Sequence, residues 1–344
     1  MRLAEPNEPR AANQRPTFTA LDRLNLIYIA LIVAVIAICG RRIPTWPVCL
    51  ASYAALGIVL AAFLKTTRRS IHPVIVFIRD WYTPFLFLFH YEFTLPLNQA
   101  FAPLYAPLVS RLAPGIPLVA EHFGHRVYFD YLLLPVERWV CGGFLPSYAF
   151  AQAVSARWFG ELMHLAYFSY YGYAPLVCGI LWFRPRRDPF DDAMFRVAMT
   201  LWVCFFFFIV FPTGGPRQFL GSEGMNLNGG YLFAWIMKYL FQYGEIPSGA
   251  FPSSHVAAAL AALLAAYRHS KRLFAWLVVP FILLCLSTVY VGEHYAIDVP
   301  VGFAAGGILY WLGGHAHGLL RPRSGNVPPA DAPKPGNRQP ATSH

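Results

Sequence analysis

Charge is scarce in this sequence. Only 13% of its 344 residues are Asp, Glu, Lys or Arg, about half the share of an ordinary soluble domain. With 57% hydrophobic residues, that scarcity excludes a water-soluble fold and leaves a membrane protein. Acidic residues are the rarer sign, 17 against 27 basic ones. The basic residues fall in short clusters between apolar runs, which excludes a nucleic-acid face and reads as topology signals. Paired cysteines are missing as well. Cys39, Cys49, Cys141, Cys178, Cys204 and Cys285 stand singly, without metal or redox spacing, and read as small buried apolar residues. His122 and His125 have no third ligand at a metal-site spacing, so they read as a solvated loop, and neither a metal nor another cofactor is expected. The absence of an internal repeat argues against a transporter. The polar N-terminus lacks the apolar core and cleavage pattern of a cleavable signal peptide.

What is present points to helices through a bilayer. The 29 Phe, 19 Tyr and 9 Trp supply the aromatic belts that membrane interfaces use. Apolar stretches near the twenty residues needed for a span occur at 24–40, 46–64, 165–183, 193–211, 273–291 and 296–313. Weaker ones lie at 81–97, which contains His90 and Glu92, and at 256–267. Together they predict an all-α, polytopic fold of about eight transmembrane helices. The expected order is a polar cytoplasmic stretch over 1–20, two extra helices over 21–70, a membrane core over 71–317 and a disordered tail over 318–344. Lys and Arg concentrate in alternate loops, which puts both termini in the cytoplasm under the positive-inside rule; Arg41 and Arg42 are the exception. Compact loops without a sorting signal favour a bacterial inner membrane. The Pro-broken stretch 98–160 reads as pieces lying over the outer leaflet.

Chemistry concentrates in three outer-facing stretches. In 249–255, Gly-Ala-Phe-Pro-Ser-Ser-His, either Ser253 or Ser254 can cap the following helix, whose free N–H groups form an anion site. His255 at that edge can give a proton to an oxygen leaving phosphorus. In the run from Ser287 to Asp298, His294 and Asp298 are four apart and share a helical face. Asp298 can hold one imidazole nitrogen and leave the other as nucleophile. In 212–217, Pro-Thr-Gly-Gly-Pro-Arg, the glycines permit close backbone approach and Arg217 offers a planar fork for phosphate oxygens. Each residue has a bland reading: an interfacial histidine, a snorkelling arginine, an aspartate that merely caps a helix. Two histidines in two such stretches on one predicted side outweigh it.

Pro252-Ser253-Ser254-His255 and Ser287-Thr288-x5-His294-x3-Asp298 resemble the second and third motifs of the type 2 phosphatidic acid phosphatase superfamily. The first motif is reduced to Gly215-Pro216-Arg217. The resemblance spans roughly 81–313 and implies a core of six helices with an outward-facing site. It makes His294 a nucleophile that forms a phosphohistidine, Asp298 its orienter and His255 the acid/base, with Arg217, Ser253 and Ser254 holding phosphate. Thr288 stands where the family carries arginine, and the first-motif lysine is missing. That loss suits a singly charged phosphodiester better than a monoester. With the Val291-Gly292-Glu293-His294 run, the chain looks closest to the inositol phosphorylceramide synthase-like branch.

The resulting expectation is a phospholipid headgroup phosphotransferase acting on a phospholipid or lipid phosphate within the bilayer. The alternatives are a lipid phosphate phosphatase, for phosphatidate or polyprenyl diphosphate, and more remotely a non-catalytic membrane transport protein. Phe205–Phe208 read as lipid-facing bulk rather than a substrate box. His315 and His317 read as chemically silent. Glu92 could line a substrate path or meet Arg79 or Arg138.

Overall fold

The structure is a computed structural model that describes residues 17–101, 104, 105, 107, 111, 129–221, 229–244, 246 and 248–322. The polar first residues, His122, His125 and the tail beyond 322 lie outside the described residues. Among those described, every regular element is helical apart from one isolated bridge between Thr213 and Gly249.

The helices are α1 (Ala20–Cys39), α2 (Trp46–Thr66), α3 (Pro73–Trp81), α4 (Thr83–Leu97), α5 (Asp130–Val140), α6 (Pro146–Ala153) and α7 (Arg157–Phe168). There follow α8 (Tyr170–Trp182), α9 (Asp188–Val210), α10 (Pro216–Leu220), α11 (Leu232–Tyr243), α12 (Ser254–His269), α13 (Lys271–Tyr290) and α14 (Asp298–Leu320). Among the described residues four stretches, Ala20–Arg42, Trp46–Thr66, Asp188–Val210 and Lys271–Tyr290, are long and apolar enough to cross a membrane. The chain is thus an all-α polytopic membrane protein.

The expected stretch 81–97 is one helix, α4, apart from its first two residues; Pro84 opens it, because proline lacks the N–H that would continue α3. Another expected span is divided. The stretch 165–183 changes helix at Ser169, whose hydroxyl donates to the Ala166 carbonyl at 2.6 Å.

At the centre lies α12, with eleven of its sixteen residues buried. It packs against α8, α9, α13 and α14. Its alanines permit that crowding, and the closest neighbour is α14. A Cβ on Gly302 would stand 2.7 Å from the Ser253 carbonyl oxygen, and one on Gly306 2.7 Å from that of Ala257. Small residues four apart let two backbones meet, which is how helices associate where lipid removes the hydrophobic drive. Because Ser253 caps α12, this contact also fixes where the helix begins.

The first hairpin joins the bundle through buried polar contacts. Asn25 on α1 donates to Tyr82 Oη at 2.9 Å and Thr83 Oγ1 at 3.0 Å, and accepts from Trp202 Nε1 of α9 at 3.0 Å. Arg79 pairs with Asp22 rather than with Glu92, which is exposed. The reading of Phe205–Phe208 as lipid-facing needs correction. Phe205 and Phe208 are buried, while Phe206 is intermediate and Phe207 exposed. A helix points only about half of a four-residue run outward, and the other face of α9 is bundle core.

Candidate active site

Three loops converge at one end of the bundle, and backbone bonds tie them together. In the first, Thr213 N donates to Ser248 O at 3.4 Å, Ala250 N donates to Thr213 O at 3.0 Å, and Phe251 N donates to Thr213 Oγ1 at 2.7 Å. This joins the segment after α9 to the one that leads into α12. The segment after α13 is joined by Arg217 N donating to Gly292 O at 2.8 Å. Gly215 allows that approach: its φ is +79°, and a Cβ there would lie 2.3 Å from the Glu293 carbonyl oxygen.

Helix α5 straps the same loops from outside. Asp130 and Glu137 are seven apart, hence on one helical face. Asp130 accepts from Gly214 N at 2.7 Å, Gly215 N at 2.9 Å and Tyr295 Oη at 2.9 Å. Glu137 accepts from Ala296 N at 2.8 Å and Ile297 N at 3.1 Å. Burial pushes the Asp130 carboxyl up to about 7, against the pull of its three donors, and burial also raises Glu137.

Within this frame His255 and His294 face each other, Nδ1 to Nε2, at 3.1 Å. Their protons follow from their other partners. His294 Nδ1 lies 2.7 Å from the Ala250 carbonyl, which can only accept, so Nδ1 carries the hydrogen. In the neutral ring Nε2 is then bare. His255 Nδ1 therefore donates to it, and His255 Nε2 accepts from Tyr167 Oη at 3.0 Å. The chain Tyr167, His255, His294, Ala250 leaves the lone pair of His294 directed at its partner.

Asp298 sits 3.4 Å from His294 Nδ1, a longer contact than Ala250 makes. Its Oδ2 accepts from Tyr295 N at 2.8 Å, and Oδ1 makes no hydrogen bond among the described residues. Its geometry is that of a turn-former which adds negative charge beside the imidazole; the nearer orienter is the backbone. Ser253 is the helix cap, accepting from Val256 N at 3.3 Å. Ser254 is buried and lines the cavity described below. Arg217 reaches these loops but is already paired, its Nε donating to Glu293 Oε1 while its guanidinium lies 4.3 Å from the centre of the Phe241 ring. Thr288 is fully buried and turns its hydroxyl back to the Cys285 carbonyl at 2.8 Å.

The histidine pair closes one end of a cavity of about 260 Å³. Around the pair it is lined by Tyr91, Tyr167, Tyr170 and Glu293, and away from it by apolar side chains of α4, α8 and α9. Met194, Val197, Leu201 and Phe205 follow one face of α9 along it, a depth of about 16 Å at 1.5 Å per residue. Among the described residues no group of His, Cys, Asp and Glu has metal-site geometry. His315 and His317 belong to the last two turns of α14, far along the helix from Asp298.

Asp130, Glu137, Tyr167 and Glu293 were not singled out by sequence reasoning. The nearest signal was the seven-residue spacing of Asp130 and Glu137, visible only once that stretch is known to be helical. The sequence profile of the PAP2 superfamily matches residues 132–312, more than half of the chain. No curated protein and no solved structure matches the sequence.

Proposed function

The chain belongs to the PAP2 superfamily, and on that premise we propose that it is a membrane phosphotransferase that moves a phospho-headgroup from one lipid to the hydroxyl of another. Membership supports a phosphatase- or phosphotransferase-type enzyme of lipid phosphoesters; the finer reading rests on the site. The observation that carries it is the histidine pair, with a bare His294 Nε2 held 3.1 Å from His255 at the end of a deep apolar cavity.

The reaction has two displacements. His294 Nε2 attacks phosphorus, the bond from phosphorus to the leaving oxygen breaks, and that oxygen takes a proton from His255. An acceptor hydroxyl then gives its proton to His255 as its oxygen attacks. The phosphorus–nitrogen bond breaks and His294 is restored. Nδ1 keeps its hydrogen throughout, held by the Ala250 carbonyl. For the first step His255 carries two protons, with the bound anionic phosphoester as counter-charge. Tyr167 Oη, which donates to Nε2 of the neutral ring, then turns to accept from Nε2–H. The α12 N-terminus and Ser254 face the developing charge, so positioning and electrostatics carry the reaction.

A phosphodiester suits this site better than a monoester. Arg217 is matched by Glu293, and Thr288 contributes no charge where the family carries arginine. That charge balance supports reading the chain as inositol phosphorylceramide synthase-like. The site then faces away from the cytoplasm. Support comes from Arg184, Arg268, Lys271, Arg272 and Arg321, which flank the helix ends opposite the histidines.

The test uses the purified chain in lipid nanodiscs with phospholipids labelled in the phosphate, with and without ceramide or diacylglycerol. Label is expected to pass to the acceptor lipid, and His294→Ala to abolish the transfer. Release of free phosphate irrespective of acceptor would make the protein a phosphatase instead.

A further inference from the structure

We infer that Glu293 is a specificity-determining residue whose carboxylate excludes doubly charged phosphate monoesters from the site. The inference rests on the function proposed above and names the feature of the substrate that this site selects. Glu293 precedes His294 directly, is only 8% exposed, and lines the same cavity as both histidines. No lysine or arginine is among the described residues lining that cavity, and Glu293 is the acidic one.

Its partner Arg217 is not part of the lining. Among the contacts of the described residues, the ion pair to Glu293, the Phe241 ring against its guanidinium and its backbone N–H on Gly292 O at 2.8 Å hold the arginine. The cation that sequence reasoning assigned to phosphate is therefore neutralised before substrate arrives. A phosphoester entering beside His294 meets a carboxylate, while the balancing guanidinium is not among the lining residues.

Charge count then decides which esters bind. Two unit charges about 6 Å apart, at an effective dielectric of about 20, shift an equilibrium on the order of a hundredfold. Partial cancellation by Arg217 leaves about tenfold for each extra negative charge on the ligand. A monoester dianion carries one more such charge than a diester. A headgroup with hydroxyl or ammonium donors, conversely, finds an acceptor in Glu293.

The test compares wild type with Glu293→Gln, which keeps an oxygen for Arg217 Nε and loses the charge, and with Glu293→Asp, which keeps the charge. Phosphatidate and phosphatidylglycerol with the same acyl chains are the turnover probes. Orthophosphate above about pH 8, where it is a dianion, and dimethyl phosphate, a monoanion, are the binding probes, titrated by phosphorus NMR. Glu293→Gln is expected to move both preferences toward the dianion by about tenfold, with Glu293→Asp close to wild type. Equal changes for the dianionic and monoanionic probes would overturn the inference, whatever their size. If wild type turns over neither lipid, the proposed function fails, and the two binding ratios still decide the role of Glu293. Melting curves separate any variant that fails to fold, in which case Glu293→Ala is judged by the same ratios.

Discussion

His255 Nδ1 lies 3.1 Å from His294 Nε2, a separation that a phosphorus atom cannot enter, so substrate has to part the two rings. Each imidazole thus holds the other's reactive nitrogen.

If His255 is the proton donor, its loss should depend on the leaving group. His255→Ala is expected to slow transfer from a lipid ester by about a hundredfold to ten-thousandfold. With a nitrophenyl phosphodiester, whose leaving oxygen needs no proton, the loss should fall below about tenfold. Steady-state rates of both substrates decide it, and equal losses would remove His255 from that role.

Tyr167 is expected to act through His255. Tyr167→Phe keeps the ring beside Phe241 and His255 but removes the oxygen 3.0 Å from His255 Nε2. We expect kcat to drop about fivefold to thirtyfold, in line with a hydrogen bond of about 1–2 kcal/mol, with KM little changed and the acid limb of the pH profile displaced. A pH profile that is unmoved would make Tyr167 a packing residue.

Asp130 links stability to pH. Its carboxyl is pushed up to about 7 by burial, against about 3.9 for an exposed Asp. The folded protein thus binds that proton more tightly than the unfolded chain between about pH 4 and about pH 7, so this contribution weakens as pH rises through that window. Asp130→Asn leaves one acceptor oxygen for three donors and is expected to cost about 1–3 kcal/mol. The cost should be greatest at the acid end and shrink toward pH 7, while Glu137 keeps a slope of the same sign. Thermal melts across that range measure it.

The deep cavity should read chain length. Leu201, 3% exposed, lines it, and Leu201→Trp would fill part of it. KM for long-chain substrates is expected to rise at least about fivefold, the cost of roughly 1 kcal/mol of lost apolar burial, with short-chain analogues unaffected. Equal effects on both would place the lipid chains elsewhere.

The parts legible in the sequence are those encoded locally. His294 and Asp298 are four apart, Ser253 directly precedes the helix it caps, and apolar runs announce α1, α2, α9 and α13. What sequence reasoning missed is encoded by contact between distant segments. Asp130 meets Tyr295 across 165 residues, and Tyr167 meets His255 across 88. Arg217 carries a related lesson: its type suggested a phosphate fork, and its pairing with Glu293, 76 residues away, was not legible in the sequence. Phe205 and Phe208 were misjudged because composition does not say which face of a helix looks inward. The break at Ser169 escaped notice because hydropathy records apolar length and not helix continuity.

The central claim is that His294 forms a bond to phosphorus, and stereochemistry tests it without requiring the intermediate to accumulate. A phospholipid made chiral at phosphorus by sulfur substitution is given to the protein with an acceptor lipid, and the configuration of the product is determined. Two successive in-line displacements predict retention. Inversion would mean that the acceptor attacks phosphorus directly, and His294 would not be the nucleophile.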